Sequence, residues 1–159
     1  MNRMIQLVHF NLDDQKYALF LSAVIRIVRV VEVTGLPNAP DIVLGVINMN
    51  GLIIPVFDIR KRFQLPPREM ELEDRLIIAH TSPLTVALLV DSVEDVTETA
   101  EENIISGEKI LPGLAYVEGI AKTKDGMILI HDLEQFLSLP EQKMLHEAMA
   151  AWAQDGRKN

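Results

Sequence analysis

The chain has 159 residues, 48% of them hydrophobic, with 15 basic against 23 acidic side chains, a formal net charge of -8 and no cysteine. That length fits a single core or two small ones sharing an interface, and the apolar fraction excludes a disordered chain. The missing cysteines exclude disulfides, thiolate metal sites and thiol nucleophiles, and a pI near 4.9 argues against nucleic acid or anionic membranes as partners, because both require a surplus of Lys and Arg on some face.

The longest uncharged run, Ile42 to Phe57, contains Asn48, Asn50, Gly51 and Pro55, so no membrane insertion is expected from it. The opening MNRMIQ enters an alternating segment directly, without a basic region followed by an apolar one. No secretory leader is therefore expected, and the cytoplasm is the expected location.

In chain order, Ile5 to Leu12 and Lys16 to Leu21 alternate around Asp13-Asp14-Gln15 and predict a hairpin of half-buried strands. Ala23 to Val33 combines helical spacing of Val24, Ile27, Val28 and Val31 with β-branched content, which predicts a short helical turn followed by a strand. After the loop Gly35 to Pro40, Gly45 begins a second hairpin that turns at Asn48-Met49-Asn50-Gly51 and continues as Leu52 to Ile59. Pro55 cannot donate to a ladder, so its strand is expected at an edge or at a bulge.

Gln64 to Asp74, with Pro66-Pro67 and a cluster of acids, is a composition shift that predicts a linker. Beyond it, Arg75 to His80 and Leu84 to Val90 predict a hairpin around Thr81-Ser82-Pro83, and Gly119 to Lys122 with Met127 to Leu133 another around Lys124-Asp125-Gly126. The final element is the one helix: Pro140 opens it, Glu141 suits its first turn, Met144, Leu145, Ala148, Met149 and Trp152 share a face, and Gly156 can end it.

The chain carries an internal repeat. Tyr17-Ala-Leu-Phe-Leu-Ser-Ala-Val24 is matched by Val86-Ala-Leu-Leu-Val-Asp-Ser-Val93, and Gly45 through Asp58-Ile59 by Gly119 through Asp132-Leu133. Each half repeats one plan: a hairpin, a short Val-bearing element, a loop, and a second hairpin ending in Asp and an aliphatic residue. About five strands per half with tight turns predict a small closed barrel, an arrangement that removes exposed edges.

Signatures of catalysis are missing. The glycines form neither a dinucleotide fingerprint nor a P-loop, no Ser lies in a nucleophile elbow, and no His pair has zincin spacing. His9, His80 and His131 fall singly on strands and His146 on the helix, which suits structural roles better than a metal site. Asp58 and Asp132 occupy equivalent repeat positions and would suit an acid/base pair if they faced each other; each also precedes a helical turn, where a carboxylate caps free N-H groups, and that reading is preferred. The acidic run Asp91, Glu94, Asp95, Glu98, Glu101, Glu102 reads as a solvated face. No cofactor is expected.

The same segments carry a family resemblance. Tyr17, Gly45-Val-Ile-Asn48-Met-Asn50-Gly51, Leu-Ile-Ile-Pro55-Val-Phe-Asp58-Ile-Arg60, Val90-Asp91-Ser-Val93-Glu-Asp-Val96, Gly119-Ile-Ala and Asp125-Gly126-Met-Ile-Leu-Ile-His-Asp132-Leu make the chain similar to the CheW-like adaptors of bacterial chemosensory arrays, from about Ile5 to Leu139. The resemblance implies an all-β fold of two small five-stranded barrels around a shared core, plus the C-terminal helix. It also implies a non-enzymatic scaffold that binds the cytoplasmic tip of a methyl-accepting chemoreceptor and the regulatory domain of a CheA-type histidine kinase. A diverged adaptor serving surface motility or gene regulation, and a small-ligand-binding barrel or an enzyme using Asp58 and Asp132, are the alternatives.

Two positions depart from the family pattern. Its asparagine-leucine-arginine-glycine turn is here Asn48-Met49-Asn50-Gly51, which removes a planar cationic fork, and Arg26 stands where the family commonly has Glu. Either the polarity of the contact is exchanged against a co-varied partner, or the two changes are drift after loss of that contact, or Arg26 is a plain solvated residue and Asn50 a turn former beside Gly51. Val24, Gly45 and Leu76 match positions linked with partner binding, so the expected contact set is Val24, Arg26, Gly45, Asn48, Asn50 and Leu76. Gly51, Pro55, Asp58, Gly119, Gly126 and Asp132 are the expected turn and cap residues.

The expected organisation is one adaptor unit over 1–139, with a barrel over 1–63, a linker over 64–74 and a barrel over 75–139, followed by a helix over 140–155. Residues 1–63 hold 7 basic and 5 acidic side chains and the remainder 8 and 18, so the halves differ in sign. Opposed halves suit separate partner surfaces.

Overall fold

The computed structural model describes residues 3–82, 84–106, 116–124 and 126–156, with side chains up to 153. The turn positions Pro83 and Asp125 lie outside the described residues. The elements are β1 (Met4–Leu12), β2 (Gln15–Phe20), β3 (Val24–Arg29), β4 (Val43–Met49), β5 (Leu52–Phe57), β6 (Arg75–His80), β7 (Thr85–Val90), β8 (Ser92–Ala100), β9 (Ile104–Ser106), β10 (Val117–Thr123), β11 (Gly126–His131) and α1 (Leu139–Gly156). A 3-10 turn precedes β3 at Leu21–Ala23, upstream of the expected one: Val24, Ile27 and Val28, whose spacing suggested a helical turn, are already in the strand, as their β-branched side chains favour; other 3-10 turns follow β5 (Ile59–Lys61) and β8 (Glu101–Asn103).

The strands form a six-stranded sheet, ordered β8-β1-β2-β11-β10-β9, and a five-stranded sheet, ordered β3-β6-β7-β5-β4. This corrects the expected division at residue 63. Each sheet takes one hairpin from one half of the chain and its remaining strands from the other. Hairpin β1-β2 joins β8 to β11, and hairpin β6-β7 joins β3 to β5.

The exchange preserves the repeat at single-residue register. β2 runs parallel to β11 with Ala18 opposite Ile130, and β7 runs parallel to β5 with Ala87 opposite Val56. β3 carries Val24 opposite Ala79, and β8 carries Val93 opposite Phe10. The two second hairpins slip at matching places, between Val43 and Gly45 and between Val117 and Gly119. Position-for-position agreement of this kind is what a duplicated plan produces.

Neither sheet closes into the expected barrel. In the six-stranded sheet the edges are β8 and β9, which a single 3-10 turn joins in sequence. In the five-stranded sheet the chain beyond β3 reaches the opposite edge only at Thr34, whose N-H and C=O exchange bonds of 2.9 and 2.7 Å with Val46. Each sheet therefore curls strongly and protects its edges without a continuous ladder.

That bridge also explains Pro55. The strand β5 is interior, between β7 and β4, contrary to the expected edge position. Val46 gives both its backbone groups to Thr34, so Pro55 opposite it occupies a non-bonded position in the β4 ladder, and pairing with β7 begins one residue later at Val56. The missing N-H falls where no partner strand needs it.

Apolar residues sort into three clusters. Ile47, Ile54, Val56, Leu76, Ile78 and Ala87 fill the curl of the five-stranded sheet, and Leu7, Ala18, Ala121, Ile128 and Ile130 that of the six-stranded sheet. Alternate residues of the same strands turn outward into a third cluster between the sheets: Phe10, Tyr17 and Leu19 meet Ile77, Val86 and Leu88. This is the shared core that the resemblance implied.

Onto it packs α1, through Leu145 and Ala148, with Met149 and Trp152 half-buried; Met144 is exposed. Its start is a capping box that the Pro140 argument did not include. Ser138 Oγ accepts from the N-H of Glu141, and the Glu141 carboxylate accepts from the N-H of Ser138. Arg62 ties the helix down, donating Nε to Phe136 O at 2.6 Å and pairing with Glu141.

Candidate partner-binding surface

The β4-β5 hairpin turns on Asn50 and Gly51, with φ of 53° and 89°, between the paired Met49 and Leu52. Two consecutive positive φ angles match the right-handed twist of a two-residue hairpin and select Asn-Gly. Asn48 braces the turn: its Oδ1 accepts from the Gly51 N-H at 2.8 Å. Asn48 and Asn50 are both exposed. The turn-forming reading of Asn50 thus has a direct structural basis.

Strand β3 is an edge of its sheet and exposes an apolar row. Ile25 and Ile27, and Val31 just beyond the strand, are 47%, 41% and 45% accessible, with Arg26 exposed between the first two and without an ion pair among the described residues. Exposure of Ile25, Arg26 and Ile27 in succession breaks strand alternation because the register with β6 slips between Val24 and Arg26. Sequence reasoning missed the aliphatic members because their spacing looked like core periodicity.

Gly45 and Leu76 cannot touch a partner and are removed from the expected contact set. Leu76 is fully buried inside the curled sheet. Gly45 is buried, and a Cβ built there would stand 2.1 Å from Thr34 O; the closeness of the Thr34 bridge requires glycine. Val24 is half-buried against the shared core. All six expected residues belong to the five-stranded sheet and its turn, but Val24 and Arg26 lie on β3 and Asn48 and Asn50 by β4, the two ends of the strand order.

Asp58 and Asp132 do not meet. Asp58 Oδ1 accepts from the Arg60 N-H at 3.2 Å, and Asp132 Oδ1 from the N-H groups of Glu134 and Gln135 at 3.0 and 3.1 Å, while their own N-H groups donate to Ile42 O and Tyr116 O. Both are caps at the matched exits of β5 and β11. Neither lines the apolar groove of about 800 Å³ between α1 and the ends of β5 and β7, where Leu52, Leu84, Leu133, Leu139, Leu145 and Met149 gather. Among the described residues no cluster of His, Asp and Glu has metal-holding geometry.

An ion network ties the sheets to the 64–74 segment. The Arg60 guanidinium, its side chain only 5% accessible, pairs with Asp13 at 2.8 Å and with both Asp91 oxygens at 2.7 and 2.6 Å. It also donates to Pro66 O, while Arg68 bridges Asp91 and Asp74, each at 2.7 Å. Burial pushes the Asp91 carboxyl up, but bonds from Arg60, the Asp13 N-H and Arg68 outweigh it and hold it below the usual carboxylate range. The network gives Arg60 and Asp91 a structural role: together they hold the β1-β2 turn at Asp13 and the segment at Pro66 and Arg68 against the β7-β8 junction.

Asp58 and Asp132 are thus separate caps rather than the walls of a polar pocket, and exposed aliphatic and polar groups stand on β3 and, at the other edge of the sheet, on the β4-β5 turn. The CheW-like domain model matches residues 6–141. The chain belongs to the CheW-like family. Among its relatives, the chemotaxis protein CheW of Bacillus subtilis (strain 168) is 31% identical over 120 residues, covering 76% of this chain and 71% of that protein. That of Treponema pallidum (strain Nichols) is 26% identical over 146 residues, covering 88% and 86%. The crystal structure of the scaffolding protein TtCheW from Thermoanaerobacter tengcongensis superposes with a TM-score of 0.81 at 34% identity, over 91% of this chain and 99% of that one. The family is therefore the one the motif residues implied, and the fold is its two-sheet β architecture with a C-terminal helix, without the closed barrels.

Proposed function

We propose that this protein is a non-enzymatic scaffolding adaptor of bacterial chemosensory signal transduction, which couples the cytoplasmic tip of a chemoreceptor to the regulatory domain of a CheA-type histidine kinase. The observation that carries the reading is the family match over residues 6–141. Supporting it, β3 and the β4-β5 turn, at opposite edges of the five-stranded sheet, each present exposed side chains to a protein partner, and the conspicuous carboxylates are engaged in capping. Arg26, Asn48 and Asn50 are the contact residues, Val24 supports β3 from below, and Gly45 and Leu76 act only by shaping the sheet. Neither nucleic acid nor lipid is a partner, and the working compartment is the cytoplasm.

Co-purification with the cognate CheA-type kinase and with a receptor signalling fragment tests this reading. Stable capture of both is expected. Failure to bind either one, by a correctly folded protein, overturns it. Arg26→Glu separates the two readings of the polarity change: weaker binding is expected if Arg26 meets an acidic partner group, and unchanged affinity makes Arg26 a solvated residue.

A further inference from the structure

The β4-β5 turn has a chemical property besides its shape. Of the asparagines in the chain, only Asn50 is followed by glycine. Gly51 offers no side chain to obstruct its own nitrogen, and nothing lies within 4 Å of the place where its Cβ would be. We propose that Asn50 is a site of spontaneous deamidation whose rate is governed by the side chain of Asn48.

The reaction needs only water. The Gly51 amide nitrogen loses its proton to solvent base and attacks Cγ of Asn50. As the Cγ-N bond forms, the Cγ-Nδ2 bond breaks, and Nδ2 takes up a proton and leaves as ammonia. Water then adds to either carbonyl of the resulting succinimide and opens it to aspartate or isoaspartate. The attacking nitrogen is the one whose proton Asn48 Oδ1 holds at 2.8 Å. That bond keeps the proton in place and fixes the amide plane within the hairpin, so the folded turn restrains a step that an unbraced Asn-Gly sequence takes freely.

Asn38 is an internal control. It too has positive φ, 64°, and is exposed, but it precedes Ala39, whose side chain hinders attack. The product adds one negative charge to the turn at the position where the family pattern carries Arg, and isoaspartate also lengthens the backbone of a two-residue turn. Any effect on kinase or receptor binding rests on the proposed function; the chemistry does not.

The test is incubation of the full-length protein at mildly alkaline pH, with peptide mapping for the amide-to-acid mass shift and for isoaspartate at position 50. Wild type converts at Asn50 while Asn38 does not. Asn48→Ala converts about fivefold faster, the factor that one net hydrogen bond of ordinary strength represents. Asn48→Asp, which keeps an accepting oxygen, converts near the wild-type rate. Circular dichroism confirms that each variant is folded. An unchanged Asn50 in both wild type and Asn48→Ala overturns the site, and equal rates in those two proteins overturn the control by Asn48. No partner enters these measurements, so failure to bind a kinase leaves their outcome unaffected.

Discussion

The matched positions of the two halves share backbone solutions and differ in side-chain chemistry. Gly45 and Gly119 both stand where a neighbouring backbone crosses, yet a Cβ would meet Thr34 O at 2.1 Å in the first and Ile105 O at 3.1 Å in the second. Arg60 and Glu134 both leave the capped turn after the last hairpin strand; Arg60 enters the buried ion network, and the exposed Glu134 carboxylate accepts from the Ser82 N-H at the facing hairpin turn. Phe57 and His131 end the equivalent strands β5 and β11, one an ordinary core aromatic and the other a buried imidazole. Edge strand β3 exposes Arg26 and Arg29 where β8 exposes Asp95 and Glu98. Ladder register is what duplication preserved, and surface charge and core polarity are what each half was free to change.

The largest expected break in this correspondence is at the glycines. Gly45→Ala forces backbone movement at the Thr34 bridge and should lower stability by about 3 kcal/mol or more, whereas Gly119→Ala should lower it by about 1 kcal/mol, since 3.1 Å calls for only a small local shift. Denaturant midpoints of the two variants check the order; equal losses would show that the two crossings are equally tight.

Removing the anion of the network comes next. Asp91→Ala leaves the Arg60 guanidinium short of its bidentate partner and should destabilise by about 2 kcal/mol, against about 0.5 kcal/mol for Glu134→Gln at the matched exposed site. Because the folded Asp91 holds its proton less tightly than the unfolded chain does, its contribution is fully present above the ordinary carboxylate range and is lost as pH falls from that range through the lower folded value.

His131 is the third test. Its ring centroid lies 5.4 Å from those of both Phe63 and Phe136, neither nitrogen is hydrogen-bonded among the described residues, and burial pushes its pKa down to about 3. An unbonded ring N-H costs about 1 kcal/mol or more, so His131→Phe, which copies Phe57, should stabilise the protein by about that amount at neutral pH. Unfolded histidine binds its proton near pH 6.5, so wild-type stability should fall as pH drops from about 6.5 toward 3, by up to about 1.4 kcal/mol per unit. The advantage of His131→Phe should therefore widen on acidification. A difference that stays constant with pH would remove His131 from the acid response. The smallest effect belongs to Arg26→Glu, which should change stability by less than about 0.5 kcal/mol because Arg26 is exposed, leaving its binding readout clean.

Much of this was legible locally. Hairpins, turn residues and the helix announce themselves through alternation, Asn-Gly and Pro, because those signals depend on neighbours a few residues apart. The two capping aspartates were legible for the same reason, each sitting immediately before its turn. The exposed row on β3 was not, because Ile25 and Ile27 carry no mark that separates an edge beside a slipped register from a buried strand. The ion network was only half legible: Arg60 and Asp91 stand in the motifs, but their meeting depends on which hairpin lies beside which sheet.

By itself, then, the sequence determined the family, the β-rich character, the repeated plan and the chemistry of the β4-β5 turn. Tertiary structure alone decided that the halves exchange their first hairpins, that neither sheet closes, that Pro55 sits inside a sheet and that Leu76 and Gly45 lie beneath the surface. The physical reason is that a strand's pattern specifies which face is buried but not which strand will pair with its edge. That choice is made among segments far apart in the chain, through the joint packing of three cores.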